Sequence, residues 1–263
     1  MFNDTNTLQR YRLRHPDNSN LSLHYDPTYD DLPVMLDKGP FIREYLSALK
    51  HTIELAMAEY PRVLAFRVDL RLPQGIDLPD YAYTNQVISR FFESFTRRIK
   101  YHQGKVGERG YARGCKVRYV WSREIPQGGR PHYHVLILLN RDAYYTVGRL
   151  RSEKINNIRR MEDAWASALG LSVDQVVGLV NIPENAEYRI NRHDPSRACA
   201  ESQPGEDDEF RRDAWWPGAR TFRRRKPRGL ARLPDLFCRA SYLCKVATKS
   251  YGDRQRGFGT SRG

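Results

Sequence analysis

The chain has 263 residues, and its 44 Lys and Arg against 31 Asp and Glu give a formal net charge of +13. Solubility does not require so large an excess; it points to a polyanionic partner, nucleic acid before a membrane surface. No apolar run approaches the ~18 residues of a membrane span and residues 1–30 show no signal-peptide core, so the expectation is a cytoplasmic protein without a membrane partner.

In chain order, residues 1–40 are polar, rich in Asn, Asp and Pro, and read as a poorly ordered lead-in. "FIREYLSALKHTIELAMAEY" (41–60) has the apolar spacing of an amphipathic helix. In "VLAFRVDLRLP", Phe66, Val68, Leu70 and Leu72 alternate with Arg67, Asp69 and Arg71, the pattern of a half-buried strand with a polar outer face. Helical spacing returns over 85–100, and alternation over 116–125, with Val117, Tyr119 and Trp121 opposed to Arg118, Ser122 and Glu124. After the turn "PQGGRP" comes "HYHVLILLN", a further strand. Residues 149–169 read as a helix, 174–182 as a strand and 233–249 as a last helix, with a charged insertion at about 194–232 before it. Residues 41–263 therefore read as one α+β domain, an antiparallel sheet with helices on one face. The four cysteines show no zinc-ribbon spacing and read as small buried hydrophobes.

The histidine strand carries the chemistry. Side chains alternate along a strand, so His132 and His134 share one face. A simple hairpin centred near Gly128 sets Glu124 opposite His132 on that face. Two imidazoles and a carboxylate could hold a divalent ion with positions open to water or a phosphate oxygen; two solvated strand histidines would show the same pattern. Asp69 reads as an ion-paired residue or as a helper ligand. In the last helix, Leu236, Phe237, Ala240, Leu243, Cys244 and Ala247 form an apolar stripe, leaving Tyr242 displayed beside Lys245, Lys249 and Arg239. Tyr242 is then either an amphipathic rim tyrosine or a nucleophile whose phenolate nearby cations would favour. Tyr251 is the fallback.

Arg67, Arg71 and Arg118 repeat at strand spacing on the polar sheet face and would meet a nucleic acid. The run "RTFRRRKPRGLAR" adds Arg220, Arg223, Arg224, Arg225, Lys226 and Arg228, with Phe222 inside it and Trp215 and Trp216 just before. Charge with interleaved aromatics suits phosphate neutralisation and base stacking.

Glu124, "HYH" and the downstream "YLCK" resemble the motifs of the HUH endonucleases, the rolling-circle replication initiators and their relatives. Tyr133 stands where that family usually has an aliphatic residue. More closely, "VLAFRVDLRLP", "RPHYHVLILLN", "NIPENAEYRINR" and "ASYLCKVATKSYGDRQRGFGTSRG" resemble the prophage family grouped with the inovirus replication protein and the YagK/YfjJ type, from about residue 60 onward. The resemblance implies a palm of the HUH/RRM kind and a metal-dependent single-strand nickase that initiates replication at a DNA origin. His132, His134 and Glu124 would hold Mg²⁺ or Mn²⁺; Tyr242 would form a 5′-phosphotyrosine; Lys245 would steady the phosphate. No GxxxxGK[ST] run is present, so strand opening would fall to supercoiling or a host helicase, and extension of the 3′-hydroxyl to a host polymerase. A non-cleaving DNA-binding regulator on the same fold is the alternative.

Overall fold

A computed structural model describes residues 12–108, 110, 113–126, 129–148, 155–193, 232–247, 253 and 255–262. Four short strands, β1 (Leu23–His24), β2 (Thr28–Tyr29), β3 (Leu32–Pro33) and β4 (Phe41–Ile42), precede α1 (Arg43–Glu59) and β5 (Arg62–Arg71). Then follow α2 (Gln86–Gly107), β6 (Arg118–Glu124), β7 (His132–Asn140) and α3 (Asn157–Leu169). The remaining elements are β8 (Val180–Asn181), β9 (Glu187–Asn191), α4 (Leu233–Ala240) and β10 (Phe258–Thr260). The main sheet runs β10-β6-β7-β5-β8, with β9 also on β5, and every pairing in it is antiparallel.

Local chemistry explains several boundaries. Asn156 caps α3, its side chain accepting from Arg159 N at 3.0 Å, and Gly170 ends the helix at φ +72°, a conformation that a side chain would strain. Pro234 opens α4, and Arg232 N donates to Asp235 at 3.2 Å.

Helices cover both faces of the sheet, not one. Leu64, Phe66, Val68 and Leu70 join Tyr133, Val135 and Ile137 in a core with Phe91, Phe95 and Trp165 of α2 and α3. On the other face, Val63, Ala65, Val120, Leu136 and Leu138 pack with Leu46, Leu49 and Ile53 of α1 and Phe237 of α4. The alternation in β5 therefore does not mark a wet face: all its residues but Arg62 and Arg71 are buried. Polar residues enter that second face because they pair with each other.

The described part of the lead-in, residues 12–40, packs into the domain and is not a loose tail. Val34 and Phe41 are buried in the second core, and Tyr29 stacks on Phe237 with ring centroids 6.4 Å apart. In place of a strand over 174–182, the chain makes a 3-10 turn (Asp174–Val176) and the two-residue β8. Within the reach expected of one helix from 233, α4 stops at Ala240 and a 3-10 turn, Ser241–Cys244, follows. No helix among the described residues is long and apolar enough to cross a membrane.

Candidate metal and nucleophile centre

The second sheet face has two halves. Its apolar half lies under α1; beyond it, toward Glu124 and His132, the same face carries Arg67, Asp69, Ser122, Glu124, His132 and His134. Register brings them together: Glu124 pairs with His132, Ser122 and Asp69 both with His134, and Arg71 with His132. The opposition of Glu124 and His132 expected from the hairpin is present.

Glu124 Oε2 lies 3.4 Å from His134 Nε2 and 3.7 Å from His132 Nε2. One donor atom from each of the three residues falls within a 4.8 Å span. Bonds of about 2.0–2.2 Å from a divalent ion to imidazole and carboxylate suit that span. His134 Nε2 is buried without a hydrogen-bond partner among the described residues, which is the condition of a nitrogen reserved for a ligand. The donor set thus fits an ion, and two imidazoles with one carboxylate discriminate only loosely among divalent metals.

Asp69 belongs behind the ligands. Its Oδ1 lies 2.6 Å from His134 Nδ1 and accepts from Arg67 Nε at 3.2 Å. Arg67 Nη2 also comes within 2.9 Å of that Nδ1. One nitrogen cannot both donate to Asp69 and accept from Arg67; the shorter contact to a carboxylate oxygen assigns the proton to Nδ1, leaving Nε2 with its lone pair toward Glu124. Burial pushes the Asp69 carboxyl up, but the His134 hydrogen bond and the Arg67 charge together hold it below the usual range. Burial, with His134 beside it, lowers His132 to about 4, so this imidazole is neutral and able to ligate at pH 7.

Tyr242 and Lys245 close the site from above. The lead-in fixes their turn: Met35 N donates to Ser241 Oγ at 2.9 Å, Ser241 Oγ donates to Cys238 O at 2.6 Å, and Val246 N donates to Pro40 O at 3.0 Å. Lys245 forms a β-bridge with Phe41. Sequence periodicity displayed Tyr242 on a wet helix face, but it is buried at 8% exposure, edge-on to His134 with centroids 5.4 Å apart. Lys245 Nζ lies 2.6 Å from Tyr242 Oη and 3.1 Å from Glu124 Oε1, binding the phenol to the ligand set. Arg67 stacks on the Tyr242 ring, 4.8 Å from its centroid.

The electrostatic balance on Tyr242 is the reverse of the expected one. Burial first, then the Glu124 carboxylate, push its phenol up to about 12 against the opposing Arg67 charge. Lys245 is lowered, chiefly by burial.

The arginines expected on a DNA-facing sheet divide. Arg67 is buried in the Asp69 pair, and Arg118 is buried with Nε and Nη2 on Glu59 at 3.0 and 2.6 Å. Neither can meet a phosphate without abandoning its carboxylate. Arg71, across from His132, is exposed at the rim. Arg220, Arg223, Arg224, Arg225, Lys226, Arg228, Lys249 and Tyr251 lie outside the described residues. Sequence reasoning missed the tie from Asp69 to His134; its signal was the odd-numbered parity that Asp69 shares with Arg67 and Arg71, opposite His134.

Comparison with known proteins adds relatives matched over most of their length. The chain is 30% identical over 231 residues to the uncharacterized protein YagK of Escherichia coli strain K12, covering 85% of this chain and 95% of that one. It is 29% identical over 245 residues to the uncharacterized protein YfjJ of the same strain, covering 90% and 100%. No solved structure matches. A family model, the YagK/YfjJ C-terminal domain, matches residues 25–203, beginning well before residue 60 and taking in part of the lead-in. With most of its length inside that model and two relatives matched nearly end to end, the chain belongs to the YagK/YfjJ C-terminal domain family.

Proposed function

We propose that this protein is a metal-dependent single-strand DNA nickase and strand transferase of the HUH type, the replication initiator of a phage or prophage-like element. The observation that carries the reading is Lys245, whose ammonium touches both the Tyr242 hydroxyl and the metal-ligand carboxylate of Glu124. A phenol, a cation and three ligands within one buried cluster are the parts that phosphoryl transfer to a tyrosine needs.

A bound Mg²⁺ or Mn²⁺ would polarise the scissile phosphate and offset its developing charge. His132, His134 and Glu124 would hold it, and Asp69 keeps the Nε2 of His134 turned to it. The Tyr242 oxygen forms a bond to phosphorus as the bond to the 3′-oxygen breaks; the phenolic proton departs, and the 3′-oxygen ends as a hydroxyl. The products are a 5′-phosphotyrosine and a primer end. Lys245, already donating to the phenolic oxygen, stabilises negative charge there as the neutral phenol is consumed. His132 and Arg71, the more open members of the cluster, mark the side from which the strand enters.

A denaturing gel of protein with Mn²⁺ and single-stranded fragments from the encoding replicon tests this. A covalent adduct with wild type that is lost in Tyr242→Phe is expected. An adduct that persists moves the role to Tyr251, and cleavage without adduct means hydrolysis by water. The burial and high phenol pKa of Tyr242 favour the second reading, a DNA-binding regulator without cleavage, for which tight binding with no cleavage on any fragment would decide.

A further inference from the structure

With Arg67 committed to Asp69 and Arg118 to Glu59, the sheet face that carries the ligands offers a strand little beyond Arg71 among the described residues. The opposite face, at the β6–β10 edge, carries a groove of a different kind. Two adjoining open hollows, of about 470 and 630 Å³, run along one side of α2 and share Ser89 and Glu93. Four cations line them, Arg90, Arg97, Lys100 and Arg256, against the single carboxylate of Glu93. Glu93 accepts from Arg97 at 2.7 Å in an exposed pair that a phosphate can replace, and Arg90 lies over the Tyr81 ring. Their floor is aromatic. Tyr119 and Trp121 sit on one face of β6; Trp121 is buried at 8% exposure, so Tyr119 is the ring that reaches the surface. Phe92 stacks flat against Tyr119, with ring centroids 3.4 Å apart and planes 6° from parallel, and Tyr119 stays half-exposed.

The edge is shaped around these rings. Gly259 of β10 pairs with Trp121, and a Cβ there would come within 2.7 Å of the indole Cε2 and Cζ2, so only glycine lets the ring lie across that strand. The groove's end is fastened as well: Asn85 N donates to Gln255 Oε1 at 2.8 Å, and Asn85 Nδ2 to Arg256 O at 3.0 Å.

We propose that this groove binds a segment of single-stranded DNA, a base against Tyr119 and phosphates toward Arg97, Lys100 and Arg256. The choice of DNA as occupant rests on the nickase reading above. Cations alone would suit any polyanion; a partly exposed aromatic ring beneath a basic helix face suits a base between phosphates. The groove lies on the sheet face away from Tyr242, so it would hold a flank of the strand and not the scissile bond.

The test is binding of a labelled twelve-nucleotide oligothymidylate by fluorescence anisotropy, in EDTA so that no cleavage intervenes. The exposed pair Arg97→Glu and Lys100→Glu should weaken binding at least tenfold and lower the salt slope by about 1.4, two phosphate contacts at about 0.7 each. The pair Arg14→Glu and Arg159→Glu, with the same change of charge outside the groove, should retain wild-type affinity to within twofold. Tyr119→Leu should weaken binding about fivefold or more at an unchanged salt slope. Equal weakening by both charge pairs would overturn the proposal, as would full affinity in a folded Tyr119→Leu or tighter binding of oligouridylate. If Tyr119→Leu does not fold, the charge pairs still decide. Adduct formation by wild type with no groove effect would sink this proposal and leave the nickase; groove binding without any adduct would do the opposite.

Discussion

Asp69 Oδ1 stands 2.6 Å from His134 Nδ1, while Glu124 Oε2 stands 3.4 Å from Nε2 of the same ring. One imidazole is thus held between two carboxylates that ask different things of it. Asp69 accepts the Nδ1 hydrogen bond and fixes the plane, and Glu124 shares the lone-pair side.

Asp69→Asn should therefore weaken Mn²⁺ binding by about 10–100-fold, the usual size of an effect on a ligand's orienting partner. Titration calorimetry would read it. Unchanged affinity in the folded variant would place the orienting role elsewhere. Asp69→Ala removes the partner of buried Arg67 as well and should destabilise the fold by about 3–5 kcal/mol.

Arg118 and the basic arm should separate stability from DNA affinity. Arg118→Met strips a buried guanidinium from Glu59 and should destabilise the protein by about 1.5–3 kcal/mol, with the salt slope of DNA binding unmoved. Arg223→Ala, Arg224→Ala and Arg225→Ala together should lower that slope by about 2 and leave the melting temperature alone. An unchanged slope in the triple variant would remove the arm from the interface.

Ser241 links the lead-in to the turn that bears Tyr242. Ser241→Ala leaves the Met35 amide without its acceptor and should cost about 1–3 kcal/mol, read as a fall of several degrees in Tm. Adduct formation should slow more than Mn²⁺ affinity falls, since the ligands lie on the sheet and Tyr242 does not. Equal losses in both would mean that the turn supports the ligands too.

Alkaline pH should unfold the protein in a defined window. Burial raises the Cys115 thiol from 9.0 to about 12, and the phenols of Tyr133, Tyr144 and Tyr188 from 10.0 to about 12. The unfolded chain releases these protons from about pH 9 to 10, whereas the folded chain keeps them to about 12. The folded state therefore binds more protons in between, and its stability, full below about pH 9, is lost as pH rises toward 12. Urea midpoints at pH 8.5 and 10.5 should differ accordingly; equal midpoints would mean that these groups titrate alike in both states.

Much of the centre was legible in the sequence because strand parity is a strict rule. Once "PQGGRP" was a hairpin turn, Glu124 had to share a face with His132 and His134. Burial was less legible. Arg67, Asp69 and Arg118 look like solvent-facing residues in an alternating strand, and only their partners, His134 and the distant Glu59, allow them inside. The end of α4 was hidden for a similar reason. Apolar spacing continues through Leu243 and Cys244, and what stops the helix is a set of bonds to Met35, Pro40 and Phe41, some 200 residues away in sequence. β10 was missed because three residues with a central glycine carry no strand pattern of their own.

The joining of lead-in and 3-10 turn has a consequence during synthesis. A nascent chain that has emerged only through β9 already has Glu124, His132 and His134 on adjacent strands, and Met35 and Phe41 waiting beside them. It has no Tyr242 and no Lys245. Until synthesis has passed that turn, the chain could gather Glu124, His132 and His134 on its sheet yet would lack the phenol and the ammonium that complete the buried cluster.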